Sequence, residues 1–499
     1  MNYRFISTNR LMLFISLLLP SLLLSSCSDD KDDFVLDGDP ALAVTMDNKA
    51  VDAVDFYSLG GSILVKLVTN LPWEITVDDC ADWITLSNRS GDPAPDDKPR
   101  YIRITAAELT ADQSRSGEVV FKAGDLVKTI RVAQRSLADS EKDGLSAMEI
   151  ASRMGTGVNI GNTLEAPDGE GTWTTHPVNE AYIKGLKQMG FTTVRVPCAW
   201  DKRVSDASTN TIDPQWLDRV DEVIGWIVEN DMYAILNIHW DGGWLENNTI
   251  KPFDEGINKK QHDYWTQIAN KLNHYDSHLL FAAMNEPNAE ENLAGVAVSN
   301  IIKYEQTFID AVRATGGNNA KRCLVIQAPG TNIGHAANPK YKQNLPMDPV
   351  PDKLFMEVHF YSPGDFALMD KDGDWGTLIK YFFGADNLVE GSDRNVTGYG
   401  EAEIAAEFES MKANYVNFGI PVILGEYSSA IRDAGEYQAK HEASRAYWNE
   451  VVTREARKNG CIPCYWEVGT DINRGDGTAI NQYAIDGIMR GVAASQYPF

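Results

Sequence analysis

Two glutamates in the sequence each follow an apolar run and could act together on one bond. Glu286 lies in "LLFAAMNEP" (279–287), and Glu426 lies in "PVILGEYS" (421–428). Hydrolysis of a glycosidic bond needs two such carboxyl groups, one to protonate the leaving oxygen and one to attack the anomeric carbon. Different surroundings can keep one of them protonated and the other ionised. Because the two glutamates are distant in sequence, the fold has to bring them together.

Eight short apolar runs supply the elements that could do this. They are rich in β-branched residues and cover 157–162, 192–197, 233–240, 279–287, 323–329, 354–361, 421–428 and 462–467. Amphipathic stretches such as "DPQWLDRVDEVIGWIVEND" separate most of them. This alternation predicts an α/β fold, a (β/α)8 barrel. A doubly wound open sheet is the alternative, but the Gly-rich phosphate turn expected after one of its early strands is missing.

In such a barrel, the active site lies at the C-terminal ends of the strands. Glu286 and Glu426 end the fourth and seventh runs, so we expect them to face each other across the barrel mouth. A structural alternative is that each carboxylate pairs with an arginine to close the barrel. The chemical interpretation is favoured because other runs also end in polar or aromatic residues, namely Asn159, Arg195, His239, Asn285, His359, Tyr361 and Trp466.

With "MNEP" and "ILGEY" in this order, the C-terminal part resembles glycoside hydrolase family 5. The resemblance implies a retaining mechanism with Glu286 as general acid/base and Glu426 as nucleophile. It also implies that Arg195 in "VRVP" hydrogen-bonds the nucleophile and keeps it anionic.

The same resemblance assigns further residues around the sugar that is cleaved. Asn285 would bind the sugar 2-hydroxyl, and His239 in "NIHWD" would line a subsite. His359 and Tyr361 in "VHFY" would lie near the two glutamates, and Trp466 in "YWE" would form the aromatic floor.

The opening "GVNIGNTLEAP" is similar to that of a subfamily rich in endo-β-1,4-glucanases, including xyloglucanases. It contains Asn159, which we expect to bind substrate. Many members have two adjacent histidines after the third strand, whereas Trp240 takes the second place here. Xyloglucan is therefore the expected substrate, with mixed-linkage glucan, cellulose and β-mannan as alternatives.

Aromatic residues crowd the segments beyond the strand ends. Sugar rings have apolar faces that stack on such side chains, and we expect substrate contacts from Trp173, Trp240, Trp244 and Trp375. The connection from Ser362 to Glu401 is long for a barrel, which favours a role in shaping one wall of the cleft.

A separate module precedes the barrel, which we place at 145–499 after a linker at 137–144. Residues 41–136 contain short alternating runs such as "SILVKLV" and "GEVVFKA", which predict an immunoglobulin-like β-sandwich. "NLPWEITV", "DWITLSNRSG" and the closing "RVAQR" resemble the BACON module of Bacteroidetes glycan-degrading proteins. Trp73 and Trp83 could stack on sugars, but a role in the core, with the module as a spacer, is favoured.

The first residues have the pattern of a targeting segment. Positive charge precedes the apolar "LMLFISLLLPSLLLSS", which leads into "LSSC". This pattern is similar to a bacterial lipoprotein signal covering 1–27, with Cys27 acylated. The acidic tether at 28–40, "SDDKDDF" included, resembles a surface-export signal of Bacteroidetes lipoproteins. We therefore expect a lipid-anchored protein on the outer face of the outer membrane.

Charge narrows the range of partners. The formal net charge of −26 argues against nucleic acid and against anionic polysaccharides. We expect a neutral plant β-glucan as the ligand, with no cofactor or metal, and a monomer. The alternative from another class is a non-catalytic glycan-binding lipoprotein, but such a protein would have no reason to keep both glutamates.

Overall fold

A computed structural model describes residues 39–46, 49–56, 58, 60–111, 113–136 and 144–499. The predicted lipid-modified Cys27 and nearly all of the acidic tether and the linker lie outside these residues. Within the described part of the chain, no helix has the length and apolar character needed to cross a membrane.

The N-terminal module consists of two five-stranded sheets, with strand orders β2-β1-β4-β8-β6 and β3-β10-β9-β5-β7. Side chains alternate between core and solvent along the longer strands, as the pattern predicted. The strands are β1 Leu42–Met46, β2 Lys49–Ala50, β3 Ala53–Phe56, β4 Gly61–Thr69, β5 Trp73–Thr76, β6 Ile84–Leu86, β7 Ser90–Gly91, β8 Arg100–Ala106, β9 Arg115–Ala123 and β10 Leu126–Gln134.

The C-terminal part is a closed barrel of eight parallel strands, which confirms the predicted (β/α)8 fold. The first barrel strand pairs with both the second and the last. These strands are buried on both faces, which explains their continuous apolar runs. They are β11 Gly157–Asn159, β12 Thr193–Val196, β15 Tyr233–Asn237, β16 Leu279–Ala282, β17 Leu324–Gln327, β18 Leu354–His359, β19 Val422–Tyr427 and β20 Cys461–Tyr465. A small hairpin, β13 Val204–Asp206 and β14 Thr211–Ile212, follows the second of them.

Helices surround the barrel, and all but the first and the last lie between successive barrel strands. They are α1 Ala147–Met154, α2 Glu180–Gln188, α3 Pro214–Glu229, α4 Glu255–Lys271, α5 Ala297–Ala314, α6 Ile333–Ala337, α7 Pro339–Lys342, α8 Gly364–Ala367, α9 Glu401–Asn414, α10 Gln438–Lys458 and α11 Gln482–Ala493. The first, α1, packs on the N-terminal ends of the strands through Ile150 and Met154, next to Tyr233 and Phe355. The opposite end of the barrel stays free for a site.

The module and the barrel meet beside α1. Ser146 caps this helix, and Glu149 accepts hydrogen bonds from the backbone and the hydroxyl of Ser146. The second oxygen of Glu149 accepts a 3.1 Å hydrogen bond from Ser58 in the sandwich. Since both Ser58 and Glu149 are buried, this contact ties the sandwich to the barrel end remote from the strand C-termini.

Candidate active site

The barrel brings the two glutamates together at its C-terminal end. Glu286 follows β16, and Glu426 lies near the end of β19. One carboxylate oxygen of each, with a ring nitrogen of His359, falls within a group whose atoms all lie within 4.8 Å of one another. Inverting glycosidases separate their carboxyl groups by roughly 6.5–9.5 Å to admit water, whereas retaining ones need roughly 5–5.5 Å. The spacing therefore suits direct attack by one carboxylate.

Arg195 on β12 holds the nucleophile candidate in place. This fully buried guanidinium donates from Nη1 to Glu426 Oε1 at 2.9 Å and from Nη2 to Asn285 Oδ1 at 2.6 Å. These two contacts fix the position of the Glu426 carboxyl group beside Asn285. The alternative that an arginine pairs with each glutamate holds for Glu426 only, because Glu286 meets His359 instead.

Asn159 lies behind Arg195 and not in the cleft, which corrects the expectation that it binds substrate. It is fully buried, and its Nδ2 donates to the carbonyls of Gly425 at 2.8 Å and Cys464 at 3.1 Å. Its Oδ1 accepts from Arg195 Nη1 at 2.9 Å. Asn159 therefore holds the arginine against the strands that close the barrel.

The second oxygen of Glu426 meets Tyr361. The tyrosine hydroxyl donates to Glu426 Oε2 at 2.9 Å, and burial keeps the pKa of Tyr361 well above its ordinary value. The phenol thus remains a hydrogen-bond donor. With Arg195 on one oxygen and Tyr361 on the other, the orientation of the Glu426 carboxylate is fixed.

Glu286 and His359 form the other half of the site. His359 Nδ1 lies 2.7 Å from Glu286 Oε1, and the Glu286 side chain is 47% exposed, so it can reach a ligand in the cleft. Burial lowers the pKa of His359, but the charge of Glu426 and the hydrogen bonds to Glu286 and Glu357 outweigh it and raise this pKa to about 10. Removal from water raises the pKa of Glu286, yet the hydrogen bond and charge of His359 bring it below its ordinary value.

His239 and Trp466 form a stacked pair at the cleft. Their ring centroids lie 5.6 Å apart with planes 7° from parallel. Burial, with the nearby charges of Arg195 and His359, holds the pKa of His239 well below its ordinary value, so its imidazole is neutral. Trp466 stays partly exposed, and its ring lies against Gly161, where an added Cβ would come within 3.1 Å.

The tryptophans expected to contact substrate differ in exposure. Trp173, Trp240 and Trp375 are 47%, 47% and 56% exposed. Trp244 differs from the expectation, because its indole N–H donates to Asp241 at 3.1 Å and its ring meets Tyr264 edge-on at 5.5 Å. Its contacts are those of loop packing.

The long connection after β18 is joined to the loop after the nucleophile strand. Arg432, which follows β19, donates to the carbonyl oxygens of Asp365, Phe366 and Lys380 at 3.1–3.2 Å. Within the connection, Arg394 forms an ion pair with Asp372. These contacts hold part of the 362–401 segment beside the end of β19.

Sequence reasoning missed two buried acids next to the glutamate pair. Glu246 accepts a 2.7 Å hydrogen bond from the backbone N–H of Glu286, and burial raises its pKa to about 8. Glu357 lies on β18, fully buried and 2.8 Å from the Nε of Arg195. Strand alternation could have identified Glu357, because it precedes His359 by two residues and shares its face. Nothing local in the sequence signals Glu246.

The side chains of Glu286, His359 and Glu426 are of the types that bind metal ions. Within the described part of the chain, Glu286, His359 and Glu426 are the group of ligand-type side chains close enough to share an ion. The Arg195 guanidinium already neutralises Glu426 at 2.9 Å, and the raised pKa of His359 places a second positive charge between the two glutamates. Two resident cations oppose a third, so the donor set fits proton transfer better than metal binding.

Comparison with known families matches both parts of the chain. Residues 155–471 match the model of cellulase, glycosyl hydrolase family 5. Residues 73–135 match BACON, described as a putative binding domain, N-terminal.

Individual relatives cover most of the length. A xyloglucan-specific endo-beta-1,4-glucanase of Bacteroides ovatus is 29% identical over 473 residues, which span 88% of this chain and 90% of the relative. The solved Bacteroides ovatus xyloglucanase, in complex with a heptasaccharide, superposes with a TM-score of 0.64 at 29% identity, covering 91% of this chain and 100% of that one. A xyloglucan-specific beta-1,4-glucanase from a ruminal metagenomic library gives a TM-score of 0.65 at 37% identity, covering 71% and 98%.

Proposed function

Since the chain belongs to glycosyl hydrolase family 5, we propose that it cuts a β-1,4-linked glucan internally with retention of configuration, and that xyloglucan is its substrate. The observation that carries this proposal is the pairing of Glu286 and Glu426. Their nearest oxygens fall within 4.8 Å, and only Glu426 carries a direct arginine partner. The two carboxyl groups therefore have different surroundings, as acid/base and nucleophile require.

In the first step, Glu426 attacks the anomeric carbon. The bond from that carbon to the leaving oxygen breaks, and Glu286 transfers its proton to that oxygen. Arg195 and Tyr361 each hold one oxygen of Glu426 at 2.9 Å, so the attacking carboxylate needs little reorganisation. The product is a glycosyl-enzyme linked through Glu426.

In the second step, Glu286 acts as a base. It takes a proton from water while the water oxygen attacks the anomeric carbon and the bond to Glu426 breaks. His359, 2.7 Å away, stabilises the carboxylate form of Glu286 that this step needs. Both glutamates then return to their starting states.

Other residues position the sugar. The partly exposed ring of Trp466, backed by His239, offers a flat apolar surface to the sugar face. The Oδ1 of Asn285 accepts from Arg195, which leaves its amide NH2 group as the donor for a sugar hydroxyl. A pyranose ring held this way would lie between the floor and the two glutamates.

Three features support xyloglucan among the β-glucans. Two of the similar enzymes are described as xyloglucan-specific. The loops around the site expose Trp173, Trp240 and Trp375, which suits a branched and bulky glucan. The net charge of −26 suits a neutral polymer.

Anchoring at the membrane is part of the proposal. The apolar stretch before Cys27 and the acidic residues behind it support lipid attachment at Cys27 and exposure at the surface of the outer membrane. Replacing Cys27 with alanine should release the protein into the soluble fraction. Retention of Cys27→Ala in membranes would contradict the lipid anchor.

The test of the activity uses the soluble chain from residue 28 on xyloglucan, mixed-linkage glucan, carboxymethyl cellulose and glucomannan, with Glu426→Ala as the blank. We expect xyloglucan to be cut fastest, with viscosity falling well before reducing ends accumulate. Proton NMR should show the β-anomer first. Faster release from glucomannan would overturn the substrate, and binding without any cutting would overturn the enzyme.

A further inference from the structure

A third carboxylate lies at the centre of the site, where substrate cannot reach it. Glu357 is fully buried on β18, two residues before His359. Residues two apart on a strand point to the same side, so both side chains face the barrel interior. Glu357 lies beneath the catalytic glutamates and can act only through its neighbours.

Each oxygen of Glu357 has a defined neighbour. Oε1 lies 2.8 Å from the Nε of Arg195 and 3.3 Å from the Nε2 of His359. Oε2 accepts a 2.7 Å hydrogen bond from the side-chain amide of Gln327. The carboxylate thus joins the arginine of the nucleophile to the histidine of the acid/base.

The space for this carboxylate exists because the residue before the nucleophile is a glycine. A Cβ on Gly425 would overlap Oε1 of Glu357. Packing against Glu357 therefore requires a glycine at position 425, which the sequence alone did not reveal. The arrangement is a built pocket for one charged group, directly beside Glu426.

Which nitrogens of the His359 ring carry a proton depends on Glu357. Its Nδ1 faces Glu286 at 2.7 Å, and its Nε2 faces Glu357 at 3.3 Å and Arg195 Nη2 at 3.5 Å. Arginine only donates, so without an acceptor beside it Nε2 would lose its proton and Nδ1 would keep one. An Nδ1–H bound to Glu286 would hold Glu286 as a carboxylate. With Glu357 present, Nε2 stays protonated, and a second proton can be shared between Nδ1 and Glu286.

We propose that Glu357 is a positioning residue that keeps a transferable proton on the Glu286–His359 pair. The carboxylate fixes Nε2 as the protonated nitrogen, and its negative charge stabilises the extra proton on the pair. Glu286 can then supply that proton to the leaving oxygen. The inference rests on the proposed retaining hydrolysis.

The charged and titratable groups around His359 determine how tightly the Glu286–His359 pair holds its proton. The groups near His359 are Glu286 after β16, Glu426 on β19 with its partner Tyr361, Arg195 on β12, His239 and Glu246 after β15, and Glu357 on its own strand. The hydrogen bond to Glu357 raises the pKa of His359, and the charge of Glu357 raises the pKa of Glu286. Without the negative charge of Glu357, the Glu286–His359 pair should therefore lose its shared proton at a lower pH.

The experiment compares the pH dependence of kcat/KM for wild type and Glu357→Gln on xyloglucan. We expect the alkaline limb of the variant to move to lower pH by about one unit, because one nearby charge is lost. On an aryl β-glycoside with a strongly acidic phenol, the leaving group needs little protonation, so the alkaline limbs of the two enzymes should coincide. A purely structural role would lower both rates at every pH and leave the limb in place.

Two further variants serve as controls. Glu357→Asp keeps the negative charge, so the alkaline limb of its kcat/KM profile should lie close to that of the wild type. Glu305→Gln alters another fully buried acid, on α5, whose burial already holds its pKa well above the ordinary value. Because Glu305 accepts its hydrogen bonds from the Gln327 N–H and the Tyr341 hydroxyl and not from His359, this variant should leave the limb in place.

The outcomes separate the two proposals. An unmoved alkaline limb in Glu357→Gln, with xyloglucan still cut, would overturn the role of Glu357 alone. Absence of cutting by the wild type would overturn the proposed function. If Glu357→Gln fails to fold, nitrogen NMR of the wild type decides, with the His359 signals identified by their loss in His359→Gln. Protonation of Nε2 persisting above pH 8 would support the role, and its loss below pH 7 would overturn it.

Discussion

The sandwich and the barrel differ in how much tryptophan they expose. Trp73 and Trp83 of the sandwich are only 5% and 4% exposed, and the Trp73 indole N–H donates to the carbonyl of Asp92. Trp173, Trp240 and Trp375 of the barrel are about half exposed at its loops. In the sandwich tryptophan serves only the core, whereas the barrel, which buries Trp200, Trp265 and Trp448, also places this residue type at its surface.

The two regions also differ in where charge is buried. In the described part of the sandwich, the buried polar side chains are uncharged, namely Ser58, Thr69, Gln134 and Ser136. The barrel buries Arg195 and Glu357 completely, and Glu426 almost so. Burying a charge is costly unless it is paired, so such clusters are expected where chemistry requires them. The difference places the catalytic chemistry in the barrel, while the role of the sandwich as a spacer stays a prediction.

The strongest test of this division removes the nucleophile. Glu426→Ala should lower kcat/KM on xyloglucan at least about 10⁴-fold, because no other group can form the glycosyl-enzyme. Thermal unfolding should change little, since Arg195 keeps Glu357 as an ion partner. Residual cutting within tenfold of wild type would move the chemistry away from this cluster.

The second test removes a sandwich tryptophan. Trp73→Ala should cost about 3–5 kcal/mol of sandwich stability, because it empties a packed core site. The effect should appear as a lowered first transition in calorimetry, with kcat/KM on xyloglucan within about twofold of wild type. A loss of glucan cutting without a change in unfolding would mean that Trp73 contacts substrate.

The third test removes an exposed barrel tryptophan. Trp240→Ala should lower kcat/KM on xyloglucan roughly 2- to 10-fold, the equivalent of one aromatic stacking contact, without changing the melting temperature. Trp244→Ala is the matched control, because it should destabilise the loop that packs on Tyr264. An equal loss of stability in both variants would mean that Trp240 is also a packing residue.

The smallest expected effect lies at the junction of the two regions. Ser58→Ala removes the hydroxyl that donates to Glu149 and should cost about 1 kcal/mol, because Glu149 keeps its bonds to Ser146. Calorimetry should show the two transitions drifting apart. A loss of several kcal/mol would mean that the sandwich and the barrel unfold as one unit.

The barrel was predictable because its signal is strong and local. Fully buried parallel strands are continuous apolar runs, and the structure places a strand in each of the eight predicted ones. The run at 157–162 forms only a three-residue strand, because the chain turns into the loop that begins at Gly161. The two-residue strands β2 and β7 could not be read from so few side chains.

The site was predictable only where a strand end marked it. Glu286 and Glu426 follow apolar runs, whereas Glu246 lies in a loop and reaches Glu286 through a contact between residues distant in sequence. Asn159 shows the opposite error, because it was predicted to bind substrate and lies outside the cleft. Its strand-end position resembles that of a ligand-binding residue, but its burial follows from hydrogen bonds to β19 and β20, which no local pattern contains.

The pairing of the first barrel strand with the last one sets when activity can begin. Asn159 on β11 donates to the carbonyl of Cys464 on β20, across 305 positions of sequence. During synthesis, the chain must be nearly complete before these partners meet and the barrel can close. Asn159 also holds Arg195 against Glu426, so the cluster is assembled among the last events of folding. A nascent chain, or one that ends before Cys464, would therefore lack the assembled site and would not cut glucan.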